Sequence, residues 1–207
     1  MSATGRGTKR SPQDFYATPW VAFSTLYSRY LRFNRGVTYW DPCAGDGRIV
    51  LWLSEQGHMA GGADIEPRPS KAKIATKDFL EDHTRRDFIL TNPPFSLAFE
   101  FVQHAHAVAP EVMMLMRLGF LASMERKEWL TENEPNALFV LSSRPSFAMA
   151  CRCKAAECKH SWIQPPTAAR PKACPKCGAA KPSVSTSDAA DYAWFYWGRR
   201  YQGIRHL

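Results

Sequence analysis

No apolar run in this sequence exceeds the length of a β-strand. A bilayer span needs about 20 consecutive apolar residues, so no membrane role is expected. The start of the chain lacks the basic, apolar and small-residue succession of a secretory signal, which points to a reducing cytoplasm. Cysteine is nearly absent outside one segment: five of the six lie between Cys151 and Cys177, which excludes a disulfide framework for the whole fold. Acidic residues are short as well, 19 against 27 Lys and Arg, a formal net charge of +8. There are no internal repeats, so a solenoid is excluded, and no long separate segment that could form a target-recognition domain. What is present, 207 residues with 45% hydrophobic content, suits one domain with an ample core.

The most informative positive feature is Asn92-Pro93-Pro94-Phe95, closing the apolar run Phe88-Ile89-Leu90-Thr91. Neither proline can donate a backbone hydrogen bond, and each restricts the residue before it, so the turn is stiff and its acceptors point outward. A side-chain carbonyl, a backbone carbonyl and a ring face then surround one small planar group. Such a site suits an exocyclic amine, which offers two N–H donors. By itself the tetrapeptide also reads as a strand ending in a tight proline turn.

Upstream, a β-rich run from Val37 opens into Asp41-Pro42-Cys43-Ala44-Gly45-Asp46-Gly47, followed by the apolar pattern Ile49, Val50, Leu51, Leu53 of a helix packed on a sheet. Glycines at a strand-to-helix turn let backbone approach a ligand, and the helix start favours negative charge. A second strand, Ala60 to Ala63, ends in Asp64-Ile65-Glu66. Its carboxylates fall 17 and 19 residues after Gly47, near the spacing at which an acid meets a ribose. A third element, Thr76-Lys77-Asp78-Phe79-Leu80, offers a carboxylate and a ring that could hold an adenine.

These motifs, in this order, resemble the S-adenosylmethionine-dependent amino-methyltransferases. The likeness is to the small N6-adenine DNA methyltransferases of phages and prophages, with a gamma-like motif order. The resemblance covers residues 14–150 and returns at about 187–198. It implies a Rossmann-like class I fold, a seven-stranded mixed sheet whose last two strands form an antiparallel pair. It also implies cofactor contacts from Phe15, Tyr16, Thr18 and Pro19, where Asp14–Pro19 looks like the N-terminal cofactor motif. Further contacts are implied from Asp41, Cys43, Ala44, Gly45 and Gly47, from Asp64 and Ile65 at the ribose, from Asp78 and Phe79 at the adenine, and from Asn92. Asn92, Pro93, Pro94 and Phe95 would be catalytic. Pro42-Cys43 mimics the nucleophile dipeptide of cytosine-C5 enzymes, but it sits inside the glycine turn and reads as a small packed residue.

The second constellation is the cysteine segment. Cys174-Pro175-Lys176-Cys177-Gly178 has the form of a zinc knuckle, and Cys153 with Cys158 offers a second, wider pair. Four thiolates would close a structural Zn2+ site and hold a segment too small for its own core. The wide pair leaves Cys151 or His160 as possible substitutes, and disulfides or free thiols are the competing state, disfavoured in a reducing compartment. Charge follows the same segment: residues 151–182 carry seven Lys and Arg against one acid, Glu157, while residues 11–150 are net −2. A basic knob beside a base-modifying site reads as a phosphate clamp, with a solvated loop as the bland counterpart.

The expected organisation is a basic arm over 1–13, a methyltransferase domain over 14–150, the zinc-binding insert over 151–182, and a last strand with tail over 183–207. Within it, a helix is expected after Pro19, and strands over Val112–Met116, Ala137–Leu141 and Tyr192–Trp197. Three functions compete. The first is transfer of a methyl group to the N6 amine of adenine in DNA. The second is the same chemistry on RNA adenine-N6, guanine-N2 or, less well matched, protein glutamine. The third is a non-catalytic zinc module that binds nucleic acid. Oligomeric state is left open by the sequence.

Overall fold

The computed structural model of the chain describes residues 17–34, 36–145, 147, 149–158, 160–164, 169–185 and 190–207. The expected basic arm, Asp14, Phe15 and Tyr16 lie outside the described residues.

The chain alternates strand and helix from the start. Helix α1 (Trp20–Arg29) begins directly after Pro19, whose extended backbone makes it the N-cap. It gives way to a 3-10 turn at Leu31–Phe33, so the helix expected after Pro19 ends at Arg29. Strand β1 (Thr38–Asp41), helix α2 (Arg48–Glu55), β2 (Met59–Asp64), β3 (Ile74–Thr76) and β4 (Phe88–Thr91) follow. Then come α3 (Ala98–Val108), β5 (Glu111–Arg117), α4 (Lys127–Glu132) and β6 (Ala137–Val140). Strands β7 (Met149–Arg152), β8 (Ser161–Gln164) and β9 (Ser183–Ser185) form a separate three-stranded antiparallel sheet in the order β8-β7-β9. The chain returns to the main sheet with β10 (Tyr192–Trp197) and β11 (Gly203–His206). No helix among the described residues is long and apolar enough to cross a membrane.

The main sheet has eight strands in the order β11-β6-β10-β5-β4-β1-β2-β3. Its centre is parallel, and β10 runs antiparallel between β5 and β6. The expected count of seven is corrected by β11, formed from tail residues. Gly203 and three residues after it pair in parallel with Ala137–Val140 and extend the edge. All four β11 residues are exposed, so no apolar periodicity marked them as a strand.

The core follows from the two-residue period of the strands. Tyr192, Trp194 and Tyr196 of β10 share one face with Tyr39, Phe88, Leu90, Met113 and Leu115, packed under α1 and α2 through Phe23, Leu26, Ile49 and Leu53. Ala193, Phe195 and Trp197 share the other face with Ile89, Val112, Met114 and Met116, covered by Phe101, Val102 and Val108 of α3. Every residue of β10 is buried, which is why a hexapeptide with five aromatic residues is accommodated there. Burying two faces of β4 in the same way leaves only its carboxyl end reachable. In this topology the loops after β1, β2, β4 and β5 all emerge at one edge of the sheet, the place where open α/β sheets bind ligands.

Candidate active site and cysteine centre

The carboxyl end of β1 is fixed by a buried polar pair. Asp41 is almost fully buried, and its Oδ1 accepts from the Cys43 N–H (3.1 Å) and from Thr91 Oγ1 (2.7 Å), tying the end of β1 to the end of β4. Burial pushes the Asp41 carboxyl up to about 7, more than the bonds from Thr91 and Cys43 lower it. The folded state therefore holds a proton that the unfolded chain, with an ordinary value of 3.8, releases earlier. Stability falls as pH rises through this window and is greatest below it. At about 1.4 kcal/mol per unit, the change amounts to about 4 kcal/mol. Asp41→Asn keeps the Oδ1 acceptor, so urea unfolding across the window should show a flattened profile in the variant. A profile as steep as wild type would remove Asp41 as the cause. The neighbouring Cys43 thiol is pushed well up by desolvation and by Asp41 and Asp64, and therefore stays protonated. This suits the packed role expected of it.

The glycine turn is shaped by close backbone approach and held by the carboxylates of Asp41 and Asp64. Gly47 has a left-handed φ of 70° and caps α2, and a Cβ there would lie 2.8 Å from both Ala72 Cβ and Ser70 Oγ. A Cβ on Gly62 would meet the Asp41 carbonyl at 2.8 Å and Ala44 Cβ at 2.9 Å, so β2 can close on the turn only as glycine. Ala44 N–H donates to the Ala63 carbonyl (2.9 Å). Asp64, expected at the ribose, is brought to this turn. Its Oδ2 accepts from Gly45 N–H (2.7 Å) and its Oδ1 from Glu66 N–H (2.9 Å). Each carboxylate oxygen keeps a second acceptor site, so these bonds orient the group without exhausting it. Ile65 is exposed at 54%.

The end of β3 lies alongside, through a Lys77 N–H bond to the Asp64 carbonyl (3.0 Å). Asp78 caps the next turn by accepting from Leu80 N–H (2.9 Å). The Phe79 ring does not stand on the open edge: it is buried against Phe101 and His104 of α3, with centroids 5.2 and 4.8 Å away. Thr18 is buried, and its carbonyl accepts from Arg48 Nη1 (3.2 Å). Arg48 also grips Asp46 of the glycine turn through Nε and Nη2, so the N-terminal segment and the turn are clasped by one guanidinium. Sequence reasoning missed Arg48.

Asn92 follows Thr91 directly and is half-buried, so it sits one residue beyond the Asp41 contact. Pro93 is buried, Pro94 is partly exposed, and Phe95 keeps part of its ring at the surface. Around Phe95 the structure assembles three residues that the motif search missed. The Arg117 guanidinium lies over its ring at 5.0 Å, and the Phe147 and Tyr192 rings stand 5.7 and 5.5 Å away. Arg117 Nε donates to Tyr192 Oη (3.1 Å), and Phe147 and Tyr192 are 4.9 Å apart. The available signal for Phe147 was an isolated aromatic, Arg144-Pro145-Ser146-Phe147, just past a strand end. For Arg117 it was a charged residue directly after the apolar run Val112–Met116.

The cysteine segment converges. The sulfurs of Cys153, Cys158, Cys174 and Cys177 all lie within 4.8 Å of one another, with Cys153–Cys177 at 3.5 Å and Cys158–Cys174 at 3.9 Å. A tetrahedral zinc with Zn–S bonds of about 2.3 Å places its sulfurs about 3.8 Å apart, so the four residues fit the ion. Cys151 lies outside this cluster, buried within β7. His160 contributes its backbone carbonyl, accepting from Cys153 N–H (2.8 Å). The Ala155 amide points at Cys153 Sγ (3.4 Å). At Cys174 burial raises the thiol, but the Cys177 and Lys176 amides outweigh it and hold it down to about 7. Cys153 and Cys158 are pushed the other way, by desolvation and by neighbouring sulfurs, so binding a metal there releases protons.

With this geometry in place, comparison with known proteins bears on the architecture. The sequence matches no protein-family model and none of the curated proteins. Among solved structures, a Pyrococcus horikoshii protein provisionally described as an RNA methyltransferase aligns with 95% of this chain and 94% of its own, at TM-score 0.50 and 14% identity. A TehB-like SAM-dependent methyltransferase from Corynebacterium glutamicum aligns with 56% of this chain and 82% of its own (TM-score 0.39, 18% identity). A Burkholderia thailandensis 1,6-didemethyltoxoflavin-N1-methyltransferase aligns with 84% and 75% (TM-score 0.37, 13% identity). The latter two are too distant to carry an argument. The likeness to the first, at this identity, establishes a methyltransferase-like α/β fold, here carrying a cysteine cluster that could hold a metal.

Proposed function

We propose that the protein transfers a methyl group from S-adenosylmethionine to the N6 amine of adenine in DNA. The observation that carries this reading is the convergence at one sheet edge of the Asn92–Phe95 turn, the aromatic group around Phe95 and the glycine turn with Asp64. The cofactor supplies a methyl already activated as a sulfonium, so the chain's work is to position a nucleophile in line with it. The glycine turn gives backbone room for the methionine end, Asp64 a ribose acceptor, and Asp78 a partner for the adenine. Asn92 Oδ1 and the Pro93 carbonyl accept the two hydrogens of the target amine. Those bonds strengthen as positive charge develops on the nitrogen, so they favour the transition state over the bound base. The base must leave the duplex to reach them, and the partly exposed ring of Phe95, backed by the buried Phe147, offers it a stacking surface. No covalent intermediate forms, in keeping with the protonated Cys43 thiol.

Three neighbouring rings and a guanidinium suit a planar base better than the side-chain amide of glutamine, which favours a nucleic acid. The basic segment over 151–182 supports the same partner, as a metal-stabilised clamp on phosphates. Base–aromatic stacking contributes about 1–3 kcal/mol per base. Phe95→Leu should therefore lower kcat/KM on DNA about tenfold or more with cofactor binding unchanged. Equal turnover in steady-state assays would remove the stacking role.

Arg48 is a positioning residue in this scheme, holding Thr18 against the cofactor turn. Arg48→Ala should raise the cofactor Kd about tenfold, the worth of one charge-assisted hydrogen bond, with kcat at saturating cofactor unchanged. Calorimetric titration with S-adenosylhomocysteine reads the affinity. An unchanged Kd would show that the clasp plays no part in binding.

A further inference from the structure

The β2–β3 crossover is an unusual strap. Residues 65–73 contain no helix, and Pro67 and Pro69 stiffen them. Arg68 N–H donates to the Gly45 carbonyl (2.9 Å), Ser70 Oγ accepts from Ala72 N–H (3.0 Å), and Ser70 and Ala72 close over Gly47. The strap is therefore pinned to the glycine turn. Over residues 67–73 it carries Arg68, Lys71 and Lys73 and no acid, all three exposed. Lys71 and Lys73 have no ion-pair partner among the described residues, while Arg68 approaches Glu66 at 4.0 Å.

The strap leaves the carboxyl end of β2, two strands from β4, which ends just before Asn92. On the other side of β4, β10 is two strands away and β6 three, and the cysteine segment enters and leaves the main sheet through these two. At about 4.8 Å per strand, the strap and the segment's roots flank Asn92 at about 10 to 14 Å and lie about 19 to 24 Å apart. Duplex DNA carries one charge per about 1.7 Å, so a stretch of that length presents about 11 to 14 phosphates.

We propose that Lys71 and Lys73 form a second phosphate-contacting surface for duplex DNA, opposite the basic cysteine segment, so that the polyanion is held on both sides of Asn92. This rests on the nucleic-acid reading of the site. The fixed strap holds its charges in register with the catalytic edge, whereas a free loop would spread them through solvent.

The test measures fluorescence-anisotropy binding of a short adenine-containing DNA duplex to the full chain across a salt series. Each phosphate contact contributes about 0.9 to the slope of log affinity against log salt, so Lys71→Gln/Lys73→Gln should flatten it by about 1.8. Cofactor Kd and thermal midpoint should be unchanged. Lys172→Gln/Lys176→Gln, in the cysteine segment, should flatten the slope independently and additively. An unaltered slope in the Lys71/Lys73 variant, with wild type still methylating DNA, overturns the strap and leaves the proposed function standing. A changed cofactor Kd with an unaltered slope assigns the strap to cofactor retention and also overturns the proposal. Wild-type protein that neither binds nor methylates DNA removes the underlying reading itself.

Discussion

Asn92→Ala is expected to lose methyl transfer to DNA by about 10²–10³-fold or more in kcat, while cofactor affinity stays at the wild-type value. The size follows from what the side chain does. In the proposed reaction Asn92 Oδ1 accepts one hydrogen of the amine as charge builds on nitrogen, and removing one preorganised partner of that kind costs about 3–4 kcal/mol. The separation of kcat from cofactor binding follows from position. The cofactor turn is organised by the Cys43 and Thr91 bonds to Asp41, the Gly45 bond to Asp64 and the close approach of Gly62. Asn92→Asp provides a second comparison, since it keeps an oxygen acceptor of similar size. Single-turnover rates with saturating cofactor separate chemistry from binding. Wild-type rates in Asn92→Ala would remove the assigned mechanism, and a lost cofactor affinity would mean that the variant damages the edge as a whole.

The second large effect concerns the metal. One zinc per chain is expected, and its removal should unfold residues 149–185 while leaving the main sheet intact. The three strands of this segment have three or four residues each, too little to bury a core. Four converging sulfurs substitute for one. Metal binding contributes about 10–16 kcal/mol in comparable small zinc units, far more than such short strands lose on melting. Cys174→Ser should abolish stoichiometric zinc by elemental analysis and remove amide-exchange protection from β7 and β9. Trp194 and its neighbours should keep theirs, because β10 is buried on both faces by α1 and α3. Protein that folds this segment fully and carries no metal would sink the assignment. Protection lost across β4 and β5 as well would show that the segment is not separable from the sheet.

Much of this architecture was legible in the sequence because the decisive signals are local. Phe88–Thr91 and Tyr192–Trp197 are strands with those bounds, since apolar runs of strand length bounded by turn residues have little else to become. The glycine turn and Asp64 come together as spacing implied, because a strand end and the next strand end are neighbours in a parallel sheet. The cysteine quartet was legible as residue types, but its membership was not: the five-residue separation of Cys153 from Cys158 left Cys151 and His160 open until geometry excluded them from the cluster.

The remainder depended on tertiary packing. The tail strand Gly203–His206 has no buried face and follows only from the free edge of β6. Phe79, expected at the cofactor adenine, packs its ring against Phe101 of α3 in the core. Phe147, Tyr192 and Arg117 come from three distant parts of the chain and meet Phe95 only because β10 inserts beside β5. Arg48 was hidden for a similar reason: its second partner, the Thr18 carbonyl, is thirty residues away.

The central claim is methyl transfer to an adenine amine of DNA. The most direct measurement incubates the protein with methyl-labelled S-adenosylmethionine and duplex DNA, RNA or protein in parallel, then digests the products to nucleosides or amino acids. The account predicts label in N6-methyladenine from DNA, absent with Asn92→Ala. Label confined to RNA, guanine or glutamine, or no label in any substrate, would contradict it.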